Sequence, residues 1–76
     1  MPRYAPILGL VIEPRLREIR GERRLLAMAE LTGDAPPILS QLERGERFPR
    51  FRDLAGLERG YGPKESWYRL TLEPRS

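Results

Sequence analysis

The sequence predicts a mainly α-helical fold: five short helices, the last a single turn, with a β-strand near each end that can pair in a small sheet. Three observations carry this. Apolar residues recur at helical spacing in four segments. Gly33, Gly45 and Gly62 follow directly on such segments, where a left-handed residue ends a helix. Short apolar runs, branched or alternating, stand at about 7–12 and 67–73. At 76 residues the chain reads as one domain, 1–76, near the lower end of what a single apolar core can support, so dimerisation would add stability.

Taken in order, Ile7-Leu8-Gly9-Leu10-Val11-Ile12 is an apolar run closed by Glu13-Pro14 and reads as the first strand. Pro14 suits the opening position of a helix, where its missing N–H is not needed. That first helix extends to about Arg24, burying Leu16 and Ile19 and turning its arginines outward, with Gly21 weakening its middle by about 1 kcal/mol relative to alanine. Leu25, Met28, Ala29 and Thr32 form the second helix, stopped by Gly33. A proline disfavours helical backbone in the residue before it, so Pro37 rather than Pro36 opens the third helix, which runs to Arg44 with Leu39 and Leu42 inward. In the fourth, Phe51, Leu54, Leu57 and Tyr61 recur at helical spacing, and Gly56 and Gly60 permit close packing. Phe48 is expected to lie half-buried against it. Gly62 stops this helix, and residues 63–66 open one further turn. The closing segment alternates, with Tyr68, Leu70 and Leu72 on one face and Arg69, Thr71 and Glu73 on the other, as in a half-buried strand. Pairing of the two strands within the chain is the preferred arrangement, and pairing across a two-fold axis is the other.

Composition narrows the chemistry. The absence of cysteine excludes a disulfide framework and a thiolate metal site, and the absence of histidine removes the usual general base and the commonest metal ligand. No enzyme, cofactor or metal is expected. Arginine supplies thirteen of the fourteen basic residues, asparagine is absent, and eight prolines stand in so short a chain; this fits a thermophilic source, although GC-rich coding produces the same bias. The apolar run at 5–12 is too short to span a bilayer, so no membrane association and a cytoplasmic location are expected. The net charge of +3 is unevenly spread: residues 15–24 carry +3, residues 44–52 carry +3, and the remainder carries −3. Two basic clusters bracketing a pair of short helices suit a phosphate backbone on both sides of a groove.

Residues 28–33, Met-Ala-Glu-Leu-Thr-Gly, and residues 39–47, Leu-Ser-Gln-Leu-Glu-Arg-Gly-Glu-Arg, resemble the helix-turn-helix of the Xre/Cro-like family, as does the distance from Gly33 to Gly45. With Leu16 to Arg20 and the run Leu54, Leu57, Arg59, Gly62, the resemblance covers about residues 15–68. It implies a lambda-repressor-like DNA-binding domain and a transcriptional regulator that acts as a homodimer on double-stranded DNA, its third helix in the major groove. By position, Pro36, Pro37, Ile38, Gln41 and Arg44 would face the bases, with Ser40 at the margin. Gln41 can pair with adenine and Ile38 can meet a thymine methyl, whereas Pro36 and Pro37 offer only apolar contact, leaving more to DNA shape. Arg44 can equally pair with a nearby carboxylate. The link between the first two helices is about two residues shorter than in relatives, which would fuse them or tilt the first. Arg23 or Arg24 can replace the phosphate-binding glutamine that relatives carry there, and Arg47 and Arg50 would hold phosphates on the other side. These departures strike the DNA-reading surface and spare the core. They raise a second reading, a scaffold repurposed to bind protein such as RNA polymerase or a toxin, with Pro36-Pro37-Ile38 and Phe48 as an apolar patch.

Overall fold

A computed structural model describes residues 10–72, in the order β1 (Leu10–Pro14), α1 (Leu16–Arg20), α2 (Leu25–Thr32), α3 (Pro36–Glu43), a 3-10 turn (Phe51–Asp53), α4 (Leu54–Tyr61), a second 3-10 turn (Lys64–Ser66) and β2 (Tyr68–Leu72). The described residues thus hold four α-helices rather than five, because the last expected helix is a single 3-10 turn. Strand residues expected at 7–9 and at 73 lie outside the described part.

The two strands pair with each other, antiparallel, from Leu10 opposite Leu72 to Pro14 opposite Tyr68. Pairing runs past Ile12, where the apolar run stops. The Arg15 N–H donates to the Trp67 carbonyl at 2.6 Å. Hydrogen-bonded and non-hydrogen-bonded pairs alternate in such a ladder, so Pro14 falls at a position whose N–H would face away from the partner. Pro14 therefore ends the strand instead of opening the helix, and α1 begins at Leu16.

α1 is also shorter than expected. Gly21 takes φ +63°, and its N–H closes on the carbonyls of Arg17 and Glu18, so it terminates the helix rather than interrupting it. Residues 21–24 form a separate link, and α1 and α2 are not fused. α2 ends as its sequence indicates, on a left-handed Gly33 at φ +85°.

α3 opens one residue before its expected start and closes one residue early. Ala35 is extended, at φ −68° and ψ 148°, and absorbs the restriction a following proline imposes. Pro36 and Pro37 then occupy the first two helical positions, whose N–H groups would have no partner within the helix. Gly45, at φ +77°, turns the chain away.

Among the described residues no helix exceeds eight residues, and helices this short owe their stability to packing. Leu16, Met28, Leu39, Leu42, Leu57, Tyr61 and Trp67 form the buried cluster, with Ile19, Leu25, Ala29, Ile38, Leu54 and Tyr68 packed against it. α2 and α4 cross closely because Gly56 and Gly60 face Thr32. Trp67 precedes β2 and fills the core, its indole N–H donating to the Gly62 carbonyl at 3.0 Å. Two residues expected inward are not. Leu70 is exposed on its strand, while Val11, on the other face of the ribbon, is buried. Phe51, at the head of α4, is 91 % exposed. Phe48 lies over Tyr68 of β2, ring centroids 5.6 Å apart, and half of it remains in water.

One polar cluster joins three helices. Glu43, buried on α3, accepts two hydrogen bonds from the Arg20 guanidinium of α1, at 2.7 and 3.0 Å, and a third from the Tyr61 hydroxyl of α4 at 2.8 Å. Burial, reinforced by the hydrogen bond and charge of Glu43, pushes the Tyr61 hydroxyl above its ordinary pKa, so it stays a donor.

Candidate nucleic-acid interface

α2 and α3 pack on each other across the three-residue turn 33–35. On α3, Leu39, Leu42 and Glu43 point inward. Of the residues expected to face bases, Pro37 and Arg44 are exposed, whereas Pro36, Ile38, Ser40 and Gln41 are half-buried. Ile38 packs on the core. Arg44 is clasped by Glu46, with hydrogen bonds of 2.8 and 2.9 Å, and also donates to the Ser40 hydroxyl. An exposed pair of this kind contributes little stability and can be exchanged for another anion. The Gln41 side-chain amide makes no hydrogen bond among the described residues and is available to a ligand.

The two basic clusters differ in what they have to spare. In the first, Arg15 donates to the Ser66 carbonyl, Arg17 to Gly21, and Arg20 to Glu43 and the Arg23 carbonyl. Arg23 folds back on the carbonyls of Ile19 and Arg20, both at 3.1 Å, capping the end of α1. A basic side chain there also complements the negative end of the helix dipole. Arg24, at the N-cap of α2, is exposed; its carbonyl accepts the Met28 N–H at 3.1 Å, and its guanidinium has no hydrogen bond or ion pair among the described residues. Of the two arginines expected to hold phosphate on this side, Arg24 is therefore the uncommitted one.

The second cluster lines an open hollow of about 400 Å³, formed by Asp34, Ile38, Arg47, Arg50, Arg52 and Asp53. It lies beside the first turn of α3, which contributes Ile38. Asp53 fixes the turn that carries the arginines: its carboxylate accepts the Arg50 N–H at 2.9 Å, and its own N–H donates to the Arg50 carbonyl at 2.8 Å. The Asp34 carboxyl is pushed up, first by burial and then by Asp53, against the pull of Arg47 and Arg52. Its Oδ2 is buried and has no hydrogen-bond partner among the described residues. The sequence assigns phosphate contacts to Arg47 and Arg50, counts Arg52 only in the charge of the basic cluster, and leaves out Asp34 and Asp53. The signal for Arg52 was the run Arg50-Phe51-Arg52, obscured by the assignment of Phe51 to an apolar helix stripe.

Chemically, the arrangement offers guanidinium groups and one amide beside a short helix. Among the described residues no group of three or more acidic side chains could hold a metal ion, and no helix is long and apolar enough to cross a membrane. Comparison with known proteins finds no matching family model, no matching curated protein and no matching solved structure.

Proposed function

We propose that the chain is a DNA-binding transcriptional regulator resembling the Xre/Cro-like type, with α3 entering the major groove of double-stranded DNA. The observation that carries this reading is the pair α2 and α3, joined through left-handed Gly33, with exposed basic side chains at both margins: Arg24 at the head of α2, and Arg50 and Arg52 beside α3. Gln41 supplies the base-reading amide, Arg47 adds charge to the second margin, and Arg44 can exchange Glu46 for a phosphate. Base discrimination through Pro36, Pro37 and Ile38 is apolar and therefore thin, so much of the specificity falls to DNA shape. A homodimer on a two-part operator, half-sites about 34 Å apart, suits a domain this small, and a DNA-reading role calls for a cytoplasmic location.

Titration against duplex DNA tests the reading. Affinity is expected to fall by orders of magnitude between about 50 and about 200 mM salt, and absence of binding even at low salt would overturn it. Replacing Gln41 by alanine is expected to cost about 1–3 kcal/mol on the preferred site and little on random DNA, measured by competition binding. An equal loss on both would remove Gln41 from base reading.

The exposed Leu26 and Leu31 of α2 favour a second reading, a scaffold that binds protein, such as RNA polymerase or a toxin. That reading requires a stoichiometric complex that survives high salt and that duplex DNA does not displace.

A further inference from the structure

Phe51 is the most exposed of the large apolar side chains described, at 91 %. In the chain it is flanked by Arg50 and Arg52, both exposed and both lining the hollow beside α3. The turn under it is held by the two Arg50–Asp53 hydrogen bonds, so the ring projects from an ordered support. It contributes almost no burial to the core. Its neighbours also argue against a pocket-filling anchor for a protein partner, which is normally ringed by further apolar contacts that exclude water. Phe51 has cations on both sides, Phe48 is turned to Tyr68, and Leu54 is packed on the core.

An exposed aromatic ring flanked by two exposed cations suits a polyanion that can open an apolar slot, and duplex DNA does so when a base step unstacks. We propose that Phe51 is a wedge that enters a base step of the bound duplex while Arg50 and Arg52 hold the flanking phosphates. The site then selects sequence by the ease of unstacking, favouring flexible pyrimidine–purine steps. This inference rests on the DNA-binding reading and supplies the shape-dependent specificity that Pro36 and Pro37 leave wanting.

The test uses duplexes of about 20 base pairs that differ only in one step, TA, CA or GC, with 2-aminopurine beside it and a fluorophore pair on the ends. With the full chain, 2-aminopurine fluorescence and end-to-end energy transfer are expected to rise on TA and CA duplexes. Phe51→Ala is expected to abolish both changes and to reduce the preference for TA over GC by about tenfold, with the salt dependence kept. Phe51→Leu, which retains an apolar wedge, should restore part of each. Because the ring is outside the core, all variants should share the wild-type melting temperature. Wild-type binding without unstacking, or unstacking unchanged in Phe51→Ala, overturns the wedge while the DNA-binding reading stands. If Phe51→Ala instead weakens only a protein complex, the ring is a protein anchor and the wedge is likewise overturned. Failure of the wild type to bind any duplex at low salt overturns both.

Discussion

Glu43→Ala is expected to lower unfolding free energy by about 3–5 kcal/mol, a large share of what a domain of this size possesses. The carboxylate is nearly inaccessible, and the guanidinium it accepts from is 13 % exposed. Alanine would leave Arg20 partly buried without its anion and Tyr61 without its acceptor, and the cost of stranding those groups exceeds the value of the bonds themselves. The triple replacement Arg20→Met, Glu43→Leu, Tyr61→Phe removes every member of the cluster together and should cost far less than the single change, because no charge is stranded. Urea unfolding of both variants checks this. A single variant with the wild-type midpoint would mean that the cluster does not join α1, α3 and α4 in solution.

Gly56→Ala is expected to cost about 2–3 kcal/mol, despite the higher helix propensity of alanine. A methyl group at that position would lie 2.1 Å from the backbone oxygen of Thr32, so the helices must separate. At Gly60 the nearest atom is the Thr32 side-chain methyl at 2.7 Å, which yields more readily than backbone. Gly60→Ala should therefore be the milder change. For Gly56→Ala, thermal unfolding should show a fall of roughly 10 °C or more. If the Gly60 variant proves the less stable, the close crossing of α2 and α4 at Thr32 is not as described.

Much of the framework is legible in the sequence because it rests on local rules. The apolar spacing of α2 and its terminal Gly33, the inward pair Leu39 and Leu42, and the closeness allowed by Gly56 and Gly60 all follow from periodicity and backbone freedom; alternation indicates the closing strand but leaves its partner open. The misses have non-local or geometric causes. Glu43 reads as a surface charge, and only partners 23 and 18 residues away in the chain make its burial tolerable. Arg23 reads as a solvent-facing cation, yet once Gly21 ends α1 its side chain is the nearest donor for the freed carbonyls. Phe51 reads as an extension of the stripe of α4, but six residues before Leu57 it would stand about 120° away even on a continuous helix. The opening 3-10 turn leaves it outside the core. The candidate interface is less legible than the fold because a basic cluster does not reveal which guanidinium groups are already committed.

The ribbon has a bearing on how the chain folds. Its two strands are separated by nearly the whole described length, so joining them early would mean closing the largest loop among the described residues. Contacts of α2 with α3 and α4 span shorter separations and are expected to form first, with docking of α1 and Trp67 onto them bringing the strand ends together. The sheet is then expected to act as a clasp fastened late, after the helical core assembles.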